Sequence, residues 1–499
     1  MAVTMLELPA LSTSSALLLC ALLAMLLVYL KAKKGSGGHY PPGPRGLPFI
    51  GNMHQLDLRR LHLCLMEISE KYGKIFSLRM GQQNTVVLMG YELVKEALVG
   101  HAEEFMGRHK SKIIKMTRGN HGIIMAEGNS WKQMRRFTIS TLRDFGMGKR
   151  SIEERIIEEA LHLRNLIQSF GGQPFETTIP MNCTVANVIC CIVLGKRFKY
   201  EDETFVSLIK LVNENVQLVA SPQVQLYNAF PLLGYLPGTH RKVFKNIYRV
   251  HSFLRSFLKE NRQSLKEDDI RSFIDVFMMK QEEETGNSGT YFHEDNLLQT
   301  TNDLFVAGME TTSTTIRWAL LVMAKMPHIQ KKVQDEIDAV LGRERYPQLD
   351  DRKHLPYTDA VIHETQRFAN IVPLNLPHET TTDVNFRGYL IPKGTQIIPS
   401  LTSVLRDKSY WERPEEFYPM HFLDKDGNFV RRDAFIPFSA GRRSCAGESL
   451  AKAELFLFFT ALLQAFTFQI PAGTEAPDLE AVVGITLAPK PHKLCAMLR

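Results

Sequence analysis

Cysteine is scarce in this chain of 499 residues: there are seven, at positions 20, 64, 183, 190, 191, 445 and 495, with no C-x-x-C pair and two of them adjacent inside an apolar run. That spacing argues against a disulfide framework and a zinc clip, and for a reducing compartment. Charge of one sign is also lacking. The formal balance is only +7 and the Lys and Arg residues are scattered, so nucleic-acid binding is not expected. No Pro/Gly/Ser-rich linker divides the chain after residue 52, so one large domain over 53–499 is expected, although length alone would allow about three. No G-x-G-x-x-G follows a strand-like run, so electrons for any redox chemistry must come from outside the chain.

The N-terminus lacks charge. From Leu8 to Leu30 there is none, which leaves about 20 residues to span a bilayer as helix. Glu7 precedes the run and Lys31, Lys33 and Lys34 follow it, the reverse of a cleaved secretory signal. Residues 1–34 are therefore expected to be a transmembrane signal anchor with the lysines, and the bulk of the chain, on the cytosolic side. A flexible spacer and proline-rich hinge, 35–52, follows, with Pro41-Pro-Gly-Pro-Arg-Gly-Leu-Pro48 as its stiff part. By itself this could be an ordinary linker.

In order after the hinge, Lys74–Met80 and Thr85–Met89 read as a hairpin. Arg108–Gly128 reads as a long loop, and loops of that length in compact domains are often binding loops. Trp131 and Arg135 stand four apart on one helical face, where a packed tryptophan beside a solvated arginine is the plain alternative. Asn228–Pro237 is an apolar loop, read as dipping into lipid or as packed inside. A long helix over about 295–326 carries Ala307-Gly-Met-Glu-Thr-Thr312 at its middle, with Leu304, Gly308, Thr311 and Thr315 on one face. Glycine and threonine are poor choices for a helix centre, which suggests function; threonines that bond back to the helix are the alternative. Glu364 and Arg367 share a helical face as well, as common surface pairs do.

The most specific stretch is Phe435-Ile-Pro-Phe-Ser-Ala-Gly-Arg-Arg-Ser-Cys-Ala-Gly447, which presents Cys445 in a glycine-rich turn before an amphipathic helix starting near Ala446. A metal-bound thiolate needs positive potential and N–H donors. Arg442, Arg443 and the helix N-terminus offer them, and Gly441 and Gly447 leave room for a flat cofactor. A small buried core residue is the competing reading of Cys445.

The spacing Phe-x-x-Gly-x-Arg-x-Cys-x-Gly, filled by Phe438, Gly441, Arg443, Cys445 and Gly447, resembles the haem-binding signature of the cytochrome P-450 monooxygenases. Four motifs in family order over residues 131 to 447, with the hinge and anchor, make the chain similar to the microsomal members, most like the animal family-two enzymes. The resemblance implies a mainly α fold with a small β region, the cytochrome P-450 fold, as a single large domain behind the anchor. It implies haem b with Cys445 as axial iron ligand, held by Trp131, Arg135, Arg443, Arg108 and His378. It assigns Glu310 and Thr311 to proton delivery and leaves Gly308 as room for dioxygen. Met309 departs from a position that often holds threonine. Glu364 and Arg367 become a buried pair tied to Pro414–Phe422, with His421 where many members have arginine.

Phe305, Val306, Ala307, Ile371, Leu374 and Ile485 are expected to line a mostly apolar pocket for a lipophilic substrate, with fatty acids, steroids and foreign compounds all open. The implied electron donor is an NADPH-dependent flavoprotein reductase, steered by Lys132, Arg136, Arg432 and Arg442, with a cytochrome b-type protein as a second candidate. The implied place is the endoplasmic reticulum membrane, catalytic domain on its cytosolic face. A haem-thiolate isomerase or dehydratase, a haem carrier or gas sensor, and a structural membrane-anchored protein are the rivals. None of them needs Thr311.

Overall fold

Apolar residues three and four apart dominate the chain beyond its hinge, and helices dominate the fold accordingly. The computed structural model describes residues 39–499 apart from 148, 149 and 267. The expected anchor, 1–34, lies outside these residues. Among the described residues no helix is long and apolar enough to cross a membrane. The proline segment is bound to the domain: Ser77 donates its N–H to Pro42 O and its hydroxyl to Pro41 O, each at 2.7 Å.

Helix α1 (Leu61–Tyr72) leads into the expected hairpin, β1 (Ile75–Met80) and β2 (Gln83–Leu88), with Ile75 opposite Leu88. Strand β3 (Gly107–Arg108), helix α2 (Lys112–Arg118) and helix α3 (Gly128–Asp144) follow. The expectation of an unbroken loop over 108–128 is thus corrected. Helix α2 interrupts it because Ile113 finds a buried site against Val224, Tyr227 and Val243. Then come α4 (Thr178–Val193), α5 (Glu203–Ala220), α6 (Pro222–Ala229), α7 (Thr239–Ser264), α8 (Glu294–Lys325) and α9 (Pro356–Ala369). Strands β4 (His378–Glu379) and β5 (Gln396–Pro399) join the first three in the order β1-β2-β5-β4-β3, with β2 and β5 parallel, and α10 (Glu448–Ala465) follows the Cys445 turn.

Helix α8 is the axis of the fold, packed against α4, α9 and α10. Its start is set by the His293 ring, which accepts the Asn296 N–H at 3.4 Å, and by Glu294 and Asp295 at the positive end of the dipole; Lys325 complements the other end. It is buried on all sides through most of its length. The break in that burial at mid-helix is Val306, Ala307, Gly308 and Thr311. A helix cannot turn one short stretch toward open space in mid-core unless a hollow faces it. Between α6 and α7, the segment Pro231–Tyr235 forms a short 3-10 turn whose Leu232 and Tyr235 are 78% and 84% exposed.

Candidate active site

The Cys445 turn is held from two sides. Cys445 N–H donates to Phe438 O at 3.0 Å, and the Gly447 N–H points back at the thiol just before α10 begins at Glu448. Burial pushes the thiol pKa up, yet Cys445 is exposed by accessible surface. The two findings agree when the sulfur lies deep in the molecule and faces an inner hollow rather than bulk water, and we take that as its situation. The cation that favours a thiolate is Arg135, which donates to Ser444 O at 2.7 Å. Arg442 and Arg443, expected in that role, point elsewhere: Arg442 pairs with Glu103, and Arg443 turns inward. The expected purpose of Gly441 is corrected too. Its φ is +72°, and a Cβ there would stand 1.8 Å from Leu98 O, so its bare backbone serves a contact with the chain itself.

Arg443 enters a buried cluster drawn from four separate segments. Its guanidinium lies 3.9 Å from the Trp131 ring centre and donates to Met106 O at 2.9 Å and Ala126 O at 2.7 Å. Arg108 donates to Ile124 O at 3.3 Å and Leu376 O at 3.1 Å. His378 donates its Nδ1–H to Phe105 O at 2.7 Å. Three polar atoms of the cluster are buried and have no partner in the protein: Trp131 Nε1, Arg443 Nη1 and His378 Nε2.

The titration of these groups tells the same story. Burial, then the neighbouring Arg135, brings Arg108 down to about 10; burial, then Arg108, brings Arg443 down to about 8; burial, then Arg108, holds His378 well below its ordinary value. The carboxylate within reach, Glu127, accepts the Arg108 backbone N–H and pairs with Lys110. The unanswered N–H groups of Trp131 and Arg443 are donors, and His378 Nε2, a bare acceptor while Nδ1–H serves Phe105 O, becomes one on protonation; buried cations with such donors call for an anion. The two carboxylates of a haem fit this donor set, and a neutral flat cofactor would not.

On α8 the structure separates the residues that the sequence placed together. The Thr311 hydroxyl donates to Ala307 O at 2.9 Å, the back-bond that competes with a functional reading. Glu310 is buried on another side and accepts from Thr486 Oγ1 at 2.8 Å and Thr314 Oγ1 at 3.3 Å; burial raises its pKa. Acid and alcohol are not bonded to each other, since successive helical residues point about 100° apart. Gly308, half-buried on the break, also borders α4, where a Cβ would meet Ile189 at 3.2 Å.

Of the expected pocket residues, Val306 and Ala307 open on the mid-helix break, and Ile371 O accepts from Leu487 N while Ile485 N donates to Val216 O at 3.0 Å, which gathers those segments. Phe305 does not join them. It is 1% exposed and packed in the main core, because it lies about 200° around the helix from Ala307. Leu374 packs against the cluster under β1 and β2.

Glu364 and Arg367 form a buried, two-point ion pair: Nε to Oε2 at 2.8 Å and Nη2 to Oε1 at 2.7 Å. Arg367 also donates to Leu405 O, Pro414 O and Glu416 O, and Glu364 accepts the Tyr418 N–H at 2.7 Å. His421 is in place as third partner. Arg413 N–H donates to its Nε2 at 3.2 Å, which leaves Nδ1–H to donate to Glu364 Oε2 at 3.2 Å.

Two residues escaped the sequence reading. Asp303 accepts from Ile123 N at 2.9 Å, Ile124 N at 3.0 Å and the Arg118 guanidinium, pinning the loop after α2 onto α8. Its signal was there: it is the one charge between Asp295 and Glu310. Glu454, an acid inside the apolar run of α10, is buried, and burial pushes its pKa up to about 8.

A cysteine presented in a tight turn, a central helix opened at mid-length and buried cations beside unpaired donors are together what a haem-thiolate protein requires. The sequence profile described as Cytochrome P450 matches residues 41–496, and the chain belongs to that family. It is 47% identical to "Cytochrome P450 2K4" of Oncorhynchus mykiss over 495 residues, 98% of each chain. To "Cytochrome P450 2K6" of Danio rerio it is 48% identical over 457 residues, 91% of this chain and 90% of the relative; to "Cytochrome P450 2J2" of Homo sapiens, 45% over 481 residues, 96% and 95%. The chain is therefore a cytochrome P450 monooxygenase, an oxidoreductase whose cofactor is thiolate-ligated haem and which uses dioxygen, a small-molecule substrate and a redox partner.

Proposed function

We propose that Cys445 supplies the thiolate to haem iron and that Trp131, Arg108, Arg135, Arg443 and His378 hold the carboxylates of the same haem. The observation that carries this reading is the pair of unpartnered buried donors, Trp131 Nε1 and Arg443 Nη1, beside buried cations. When bound, thiolate-ligated haem supplies the electron push that favours cleavage of the O–O bond. The chain's own part is positioning and protons. Thr311 would release its bond to Ala307 O and offer its hydroxyl proton toward the hollow, while Glu310, kept protonated more readily by burial, refills protons through Thr486 or ordered water.

Ile371, Ile485 and the opened face of α8 would hold a lipophilic substrate by shape. Electrons would come from NADPH through a flavoprotein reductase docked near exposed Lys132 and Arg136, with a cytochrome b-type donor as a second source. Arg432 and Arg442 are less free, since each already binds within the chain. The remaining parts of the reading are an anchor over 1–34, a hinge over 35–52, a haem domain over 53–499, and a place on the cytosolic face of the endoplasmic reticulum, with Phe230–Leu236 dipping into lipid. The exposed apolar turn at 231–235 supports the last of these.

The test is reconstitution with reductase, NADPH and isotopically labelled dioxygen. Substrate-dependent incorporation of label is expected. Haem binding without incorporation across a set of lipophilic compounds would instead favour the carrier or isomerase readings.

A further inference from the structure

Around the exposed turn at 231–235 the chain is unusually poor in acid. Residues 105–126 contain no Asp or Glu, and residues 204–259 contain Glu214 alone. Both stretches are rich in Lys and Arg, and the fold brings them together. Ile113 N–H of α2 donates to Asn228 Oδ1 at 3.2 Å, and Tyr227 OH approaches Met116 Sδ at 3.3 Å, so α2 is fastened to the end of α6 where the apolar turn begins. On the other side of the turn, Arg241 Nη2 donates to Tyr235 O at 3.2 Å, setting the first cation of α7 against it. Lys245 and Arg249 continue from Arg241 at four-residue steps on one exposed strip, about 12 Å long at 1.5 Å per residue. Tyr248, 68% exposed, lies on the same strip.

The ion pairs that Lys and Arg make in these segments are Lys110 with Glu127, Arg118 with Asp303 and Lys242 with Glu214, and His109 faces Glu379. Lys112, Lys115, Arg241, Lys245 and Arg249 are left without an acidic partner among the described residues. Five cations gathered so closely repel one another unless something anionic lies over them.

We propose that this surface, Lys112, Lys115, Arg241, Lys245 and Arg249 set around the Leu232–Leu236 tip, binds the anionic headgroups of a phospholipid bilayer, so that the catalytic domain selects negatively charged membrane. The inference rests on the reading that the tip enters lipid, and adds the chemistry of the lipid it prefers. The shape favours a bilayer over an acidic protein. Side chains as exposed as Leu232 and Tyr235 stand on a convex tip, which has no matching wall to pack against but can sink past headgroups, with long cationic side chains reaching headgroup level around it. The attraction acts within a Debye length, about 8 Å at physiological salt, so only this ring feels it strongly.

The test uses the full-length holoenzyme in nanodiscs of phosphatidylcholine alone, or with about one third phosphatidylserine, a composition giving substantial negative surface potential. Lysine acetylation and hydroxyl-radical oxidation are read residue by residue by mass spectrometry. Lys112, Lys115 and Lys245 should acetylate about threefold to fivefold more slowly with phosphatidylserine, relative to the other lysines of the chain, and recover in high salt. Tyr235 should be shielded from radicals in both lipids, compared with the protein in amphipol. In the double variant Lys245→Gln, Arg249→Gln, the phosphatidylserine effect at Lys112 and Lys115 should shrink.

Equal acetylation in the two lipids with Tyr235 shielded would overturn the headgroup proposal and leave the lipid-dipping turn standing. An unshielded Tyr235 would overturn both. Slowing that appears only on adding the reductase would mean that the ring docks an acidic protein, and would overturn the proposal as well.

Discussion

Arg367→Ala should yield little haem-loaded protein rather than a slow enzyme. The guanidinium has five N–H donors, and in the structure all five have acceptors: two on Glu364 and one each on the carbonyls of Leu405, Pro414 and Glu416. Both side chains of the pair are fully buried. Alanine therefore strands three carbonyls and leaves the Glu364 carboxylate in apolar surroundings with only the Tyr418 N–H and the His421 ring as donors. Breaking one side of a buried pair costs about 3–5 kcal/mol, a large share of the 5–15 kcal/mol that holds a typical protein folded.

Because the acceptors lie on the segment leading to the Cys445 turn, the loss should appear first as poor haem retention. The assay is haem per protein by Soret absorbance, together with the denaturant midpoint. Arg367→Lys should rescue only partly, since an ammonium carries three donors and cannot bridge both carboxylate oxygens in one plane. The control is Lys331→Ala, which removes an exposed i,i+4 partner of Asp335 and should change stability by no more than about 0.5 kcal/mol. Parental haem content and midpoint in Arg367→Ala would refute the reasoning.

Three further outcomes are expected. Cys445→His should retain some haem but lose monooxygenation, and the reduced carbonyl complex should lose the red-shifted Soret band of thiolate ligation; an undiminished band would remove Cys445 as ligand. Thr311→Ala should keep substrate binding and NADPH consumption while hydrogen peroxide replaces product, a loss of about 10² to 10⁴ in the protonated step, whereas Thr311→Ser should stay near the parent. The product-to-NADPH ratio, with peroxide assayed alongside, decides this, and an unchanged ratio in the alanine variant would leave Thr311 with only its bond to Ala307 O. Gly441→Ala should fold poorly, because it adds about 1–2 kcal/mol of left-handed backbone strain to a collision with Leu98 O; normal yield and haem content would show that the Cys445 turn can move aside.

Features written in local chemistry were legible without coordinates. The hairpin at 75–88, the helix around Thr311 and the turn around Cys445 depend on residues near one another in the chain, and their bounds came out within a few positions. The Glu364–Arg367 pair was legible as a pair, because three residues on a helix fix the distance. Its burial was not, because that depends on the carbonyls of Leu405, Pro414 and Glu416, some forty to fifty residues away. Direction on a helix was equally hidden. Phe305 and Glu310 sit among the right neighbours in sequence, yet the core and Thr486 claim them, and Val306, Ala307, Gly308 and Thr311 keep the open side.

The sequence by itself determined the kinds of group at the site: one thiol in a tight turn, a tryptophan with an arginine four residues on, and a helix broken in its chemistry at mid-length. Only the tertiary structure decided that Arg108, Trp131, His378 and Arg443 would meet in one buried place with three polar atoms unanswered. Spacing along a chain fixes geometry over a helical turn or a hairpin; beyond that, which groups share a dielectric and which are left without a partner is settled by how the elements pack.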